Sequence, residues 1–145
     1  MLPIFHIIFG LILSIILYLN NLNPFYAAIF FLASFGFDID HYIYYIFKKK
    51  SFNLPKAYIY FRKDLNKKLK NNQKPIRLLF IFHTIEFLFV IFLLALLLEI
   101  FQWVFLGFLF HMVIDWIYLL IKKDNKKYKR AFSLIAYVSR HKKII

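Results

Sequence analysis

The chain has 145 residues, of which 62% are apolar, with no cysteine and a formal net charge of +13. At a mean hydropathy of +0.64 it is more apolar than a soluble domain of this length, so a single membrane domain over residues 1–145 is expected. The lack of cysteine excludes disulfides, zinc–thiolate sites, iron–sulfur clusters and thiol nucleophiles.

Residues 2–19 are a first apolar run, with Pro3 near its start, where a helix tolerates it. No basic flank and no small-residue cleavage site accompany it, so a retained span is expected rather than a signal peptide. The polar turn Asn20-Asn21-Leu22-Asn23-Pro24 leads into a second run, 25–47, which Lys48-Lys49-Lys50 stop. In the basic connector 48–75, Leu54, Tyr58, Phe61, Leu65 and Leu69 recur at helical spacing among lysines. That is the pattern of an amphipathic helix on a membrane surface, with a solvated charged helix as the plainer alternative. The third and fourth runs, 76–100 and 103–121, are separated only by a brief turn near Glu99-Ile100-Phe101-Gln102, which forces an antiparallel hairpin. The tail 122–145 is basic, and Tyr128, Phe132, Ile135 and Val138 give it a weaker surface-helix pattern. The expected fold is therefore all-α: a polytopic four-helix transmembrane bundle with a cytoplasmic amphipathic connector helix.

A charge of +13 would fit nucleic acid, but every Lys and Arg lies within 48–77 or 122–143. Clusters beside spans are the usual cytoplasmic bias, and they attract anionic lipid head groups. Membrane lipids are thus the expected partners rather than nucleic acid, with a homo-oligomer left open. Four spans put both clusters on one side, so a cell-membrane protein with both termini cytoplasmic is expected.

Within the spans stand His6, Asp38, Asp40, His41, His83, Glu86, His111 and Asp115. Ionisable groups at a helix centre cost roughly 2.5 to 3.5 kcal/mol each on insertion scales. They persist when they face one another, a metal or a water-filled cavity. Counted inward from the basic flanks at about 1.5 Å per residue, they fall roughly 8 to 16 Å deep, in one layer of the cytoplasmic half. Asp38/His41 and His83/Glu86 are three residues apart and His111/Asp115 four, so each pair shares a helix face. Carboxylates and imidazoles projecting inward at such spacing are how helical bundles build one- or two-metal sites. Asp40 fits less neatly: either Gly36 marks a distortion, or Asp40 orients a ligating imidazole from behind. Taken alone, His6 reads as an interfacial or hydrogen-bonded residue and a single His/carboxylate pair as structural; the shared depth of three pairs shifts the balance to a metal. Glu99, Asp64 and Asp124 read as solvated, and Tyr42, Tyr44 and Tyr45 as an aromatic interfacial belt.

The motif order resembles the membrane-bound metal-dependent hydrolase-like family, small multi-span proteins with an Asp-x-Asp-His segment, a middle His motif and a late His-x-x-x-Asp. Here these look like Asp38-Ile39-Asp40-His41, His83 and His111-Met112-Val113-Ile114-Asp115, with His6 matching an early His. The chain departs from the family in having Phe37 where Pro usually precedes the first Asp. It has His83-Thr84-Ile85-Glu86 in place of His-Arg-Gly-x-Thr-His-Ser, and Leu78 where an earlier His would stand, so Glu86 is a candidate replacement for one ligand.

The leading expectation is an integral membrane metal-dependent hydrolase acting on a lipid or lipid-linked phosphoester at the cytoplasmic leaflet. Its ligands would be His6, Asp38, His41, His83, His111 and Asp115, holding one or two zinc, manganese or iron ions. Glu86 or Asp40 would serve as general base. A cation or proton transporter using the same groups, or a non-catalytic assembly protein, is the alternative. A lipid desaturase would need more histidines than the five present.

Overall fold

The structure, a computed structural model, describes residues 3–61, 76–121, 128–130 and 133–141. The chain forms two compact units, one of Met1–Asp38 and Ile85–Lys123, the other of Ile39–Thr84 and Asp124–Ile145. Among the described residues it is helical apart from two three-residue strands.

The first unit contains α1 (Pro3–Leu19) and α2 (Pro24–Gly36), then α5 (Ile85–Leu97) and α6 (Glu99–Ile121). The turn between α1 and α2 is specified by its asparagines. Asn21 takes a left-handed φ of 68°, while the amides of Asn21 and Leu22 bond back to the carbonyls of Tyr18 and Leu17 at 3.0 and 3.1 Å. These bonds cap carbonyls that α1 would otherwise leave open. Asn23 then caps α2, its Oδ1 accepting from the Phe25 amide at 2.9 Å, with Pro24 at the first helical position. Between α5 and α6 the break is a single residue, Leu98.

Helix directions follow from the contacts. Phe92 meets Phe105 at 5.5 Å and Phe87 meets Phe108 at 5.7 Å between ring centroids, so α5 and α6 run antiparallel. Ser14 Oγ donates to the Ala27 carbonyl at 2.7 Å, and Gly10 lies beside Ser34, so α1 and α2 are antiparallel too. Tyr26 stacks on Trp103 and His111 reaches Ser34, which makes α2 and α6 parallel. The closeness of α2 and α6 depends on Gly107: a Cβ there would stand 2.6 Å from the Phe30 carbonyl oxygen and 2.7 Å from the Ala33 Cβ. Small residues at helix contacts are the expected way to bring backbones together in an apolar medium.

The interior of this unit holds Ala27, Phe30, Ile91 and Phe108, yet many large apolar side chains face outward and several polar ones inward. Ile8, Phe9, Ile12 and Ile16 on α1, Phe89, Val90, Leu93 and Leu96 on α5, and Leu109, Val113, Trp116 and Leu120 on α6 are exposed. His6, Ser14, Ser34, His111 and Asp115 are buried. Glu99–Tyr118, 20 residues at a mean hydropathy of 1.7, is long and apolar enough to cross a membrane, since it spans about 30 Å. The apolar stretches of α1 and α5 are shorter, Ile4–Leu19 and Ile85–Leu97.

The second unit contains α3 (Ile39–Lys49), α4 (Leu54–Ile59), β1 (Ile76–Leu78), a single 3₁₀ turn (Ile81–His83), β2 (Tyr128–Arg130) and α7 (Leu134–His141). Asn53 caps α4 by accepting from the Lys56 amide at 2.9 Å. Tyr45, Ala57, Tyr60 and Phe80 form its small buried core, with Tyr42, Tyr44 and Phe61 packed on it. β1 and β2 pair in parallel, Ile76 opposite Tyr128 and Leu78 opposite Arg130.

Four stretches differ from the sequence reading. Glu99-Ile100-Phe101-Gln102, expected as the turn between the third and fourth runs, is the first turn of α6. The run 25–47 is two helices, broken at Phe37 and Asp38, where the Asp38 amide bonds to the Phe35 carbonyl at 3.1 Å. The run 76–100 opens as a strand and a 3₁₀ turn, and helix begins only at Ile85, after Thr84 takes an extended backbone. Tyr128 lies in a strand rather than on a helical face, while Ile135 and Val138 do lie exposed on α7. Of the connector pattern, Leu54 and Tyr58 are exposed on α4 and Phe61 is half-buried. Leu65, Leu69, Asp64, Asp124 and Phe132 fall outside the described residues.

Candidate functional site

The first unit brings four of the expected residues to one end of its helices. His6 sits in the second turn of α1, Asp38 just past the end of α2, and His111 and Asp115 one helical turn apart on α6. His6 and His111 are both 0% exposed. Their rings stack with centroids 4.0 Å apart and planes 18° from parallel.

A backbone contact sets the tautomer of His111. Its Nδ1 lies 2.9 Å from the Ser34 carbonyl oxygen, and a carbonyl only accepts, so Nδ1 carries the proton. Nε2 of the neutral ring then presents a lone pair, and Asp38 Oδ1 is 3.8 Å from it. An outer partner that fixes the tautomer is the usual support of a metal-bound imidazole.

His6 is different: among the described residues neither of its ring nitrogens has a hydrogen-bond partner. The Asp115 Oδ1 lies 3.4 Å from Nε2, beyond the usual 2.7 to 3.2 Å of an N–H···O bond. Yet two donors each about 2.1 Å from a tetrahedral zinc stand about 3.4 Å apart. Donor atoms of His6, His111 and Asp115 all lie within 4.8 Å of one another. Two imidazoles and a carboxylate, two of the three fully enclosed, form a donor set that fits a divalent ion.

In the second unit Asp40, His41 and His83 also have donor atoms within 4.8 Å, but here hydrogen bonds close the group. Asp40 Oδ1 accepts from His41 Nδ1 at 2.7 Å, and Oδ2 accepts from His83 Nδ1 at 2.8 Å. Nδ1 is thereby the donor in both imidazoles, and in a neutral ring Nε2 would be the lone-pair nitrogen. His41 also stacks on Phe80, with centroids 4.0 Å apart. His83 is set by the 3₁₀ turn, which Thr84 closes by donating from Oγ1 to the Ile81 carbonyl at 2.8 Å.

Among the expected pairs, only His111/Asp115 is carried by one continuous helix. Asp38 lies in the turn before α3, and His83 ends the 3₁₀ turn before α5, so three-residue helical spacing does not place Asp38/His41 or His83/Glu86. Glu86 is half-buried in the first turn of α5 and belongs to neither donor group described above. Three supports escaped the sequence reading: the Ser34 carbonyl, the Phe80 ring and the close approach at Gly107. Only Ser34, small and polar within an apolar helix, offers a local signal. No family model, no curated protein and no solved structure matches the chain.

Proposed function

We propose that the chain is an integral membrane metal-dependent hydrolase of the membrane-bound metal-dependent hydrolase-like family. Its substrate would be a lipid or lipid-linked phosphoester at the cytoplasmic leaflet. The four helices of the first unit would form the membrane part, with both termini cytoplasmic. Supporting this is the outward apolar surface of α1, α5 and α6, which water would penalise and lipid would not.

One observation carries the metal reading: a fully buried His6 has no hydrogen-bond partner among the described residues, while its Nε2 converges with donors of His111 and Asp115. A buried imidazole without a partner is costly unless something else satisfies it. His6, His111 and Asp115 would hold a zinc, manganese or iron ion, with Asp38 beside His111 as a further ligand. Such an ion would supply a water of near-neutral pKa and polarise a phosphoryl oxygen. The Ser34 carbonyl keeps His111 in the tautomer that offers Nε2. Asp40, with both oxygens accepting from imidazoles, acts as a positioning residue for His41 and His83, which leaves Glu86 as the candidate to accept the water's proton.

The test is elemental analysis of the full chain, purified in detergent without chelators, combined with phosphate release from short-chain phosphatidic acid in mixed micelles. Stoichiometric metal and turnover, both lost in His111→Ala, are expected. Metal-free wild-type protein, or a His111→Ala variant with full metal and activity, would overturn the reading. Bound metal with cation flux in liposomes and no turnover would replace it with transport.

A further inference from the structure

We propose that the α3–α4 turn is a surface prong that inserts Phe47, Phe52 and Leu54 into an anionic phospholipid surface, with its lysines on the head groups. The proposal rests on the membrane part of the reading above and is independent of the hydrolase part.

Phe47 and Phe52 are 80% and 78% exposed, among the most exposed large apolar side chains described, and Leu54, Tyr58 and Ile59 are exposed beside them. A cluster of such rings on a short turn is costly in water. The turn is also built rather than loose. Lys50 takes a left-handed φ of 50°, and its amide bonds to the Ile46 carbonyl at 2.7 Å. Tyr42 Oη donates to the Phe52 carbonyl at 2.5 Å, tying the tip of the turn back to α3. Asn53 caps α4, and Tyr45, Ala57 and Tyr60 lock α3 and α4 together beneath it. The backbone therefore holds Phe52 outward instead of letting it fold back.

Charge decides the occupant. Lys48, Lys49, Lys50 and Lys56 are exposed around these rings, and residues 42–61 contain no carboxylate. Lys49 Nζ lies 5.3 Å from the centroid of Tyr60, which steadies its stem. A second copy docked on this face by two-fold symmetry would set lysines against lysines. The following segment of the chain, with Arg62, Lys63, Lys67, Lys68, Lys70 and Lys74 against a single Asp64, cannot neutralise it. Anionic head groups over an apolar layer satisfy both halves of the patch at once.

The chain has no cysteine, so Phe52→Cys gives a single labelling site on an exposed side chain, and Phe47→Cys gives an independent second one. The full chain, spin-labelled and placed in lipid nanodiscs, would be read for accessibility to oxygen and to a water-soluble nickel chelate. In phosphatidylcholine discs containing phosphatidylglycerol, nickel accessibility should fall several-fold and oxygen accessibility rise. In pure phosphatidylcholine, or at high salt, the shift should largely vanish. Each of Lys48, Lys49, Lys50 and Lys56 changed to Gln should weaken insertion about fivefold. Equal water accessibility in both disc types overturns the proposal. So does line broadening relieved by dilution with unlabelled protein, which would identify a second copy as the occupant. Metal content on the same samples separates the two readings: metal retained without insertion sinks only the prong, and insertion retained without metal sinks only the hydrolase.

Discussion

The two His/Asp groups use the same residue types to opposite ends. Around Asp40 the imidazoles stand at short hydrogen-bond distance, 2.7 Å for His41 and 2.8 Å for His83. Around His6 the nearest carboxylate oxygen is 3.4 Å away, and His111 stands 3.8 Å from Asp38. In the first arrangement two imidazoles engage both oxygens of one carboxylate through their Nδ1 atoms; in the second, donors are spaced as ligands of one cation are. The lesson is that residue type and burial alone do not mark a ligand. What distinguishes it is whether the protein has already satisfied the donor, because an enclosed polar atom without a partner lowers stability unless a ligand compensates.

The largest expected effect is at His111. His111→Ala should abolish turnover and lower metal affinity by more than the roughly 10- to 100-fold that follows loss of an outer supporting partner. Asp40→Asn should fall within that 10- to 100-fold range if His41 and His83 bind metal. Metal affinity unchanged in Asp40→Asn, by titration against a chelator, would make the second group purely structural.

Stability in the presence of chelator should divide the groups most sharply. His83→Leu removes one hydrogen bond from a buried carboxylate and should cost about 1–3 kcal/mol. His6→Leu removes an imidazole with no hydrogen bond to lose, and should be neutral or stabilising by about 1 kcal/mol. Thermal unfolding in detergent reads both, and equal losses would erase the contrast between the two groups.

Smaller effects test the frame that holds the first group together. Gly107→Ala pushes a methyl against the Phe30 carbonyl and Ala33 and should cost about 1–3 kcal/mol while loosening His111 from Ser34. Gly36→Ala is the control: a Cβ there meets nothing within 4 Å, and its backbone φ is not positive. It should change stability by less than about 0.5 kcal/mol.

By itself the sequence determined the helical character of the chain and the polar turn from Asn20 to Pro24, because these depend on local patterning and capping chemistry. It also determined the His111/Asp115 pair, since four residues on one unbroken helix must share a face. Tertiary structure alone decided the rest. A helical count carried across Gly36–Asp38 or across Thr84 loses its phase, so the spacing of Asp38/His41 and His83/Glu86 held no geometric information. The β1–β2 ladder joins segments some fifty residues apart, Ile76 with Tyr128, and no local period announces such a pairing. Whether an imidazole ends within hydrogen-bond reach of a carbonyl or carboxylate, or only near one, is likewise settled only when helices pack, and that choice separates His6 from His83.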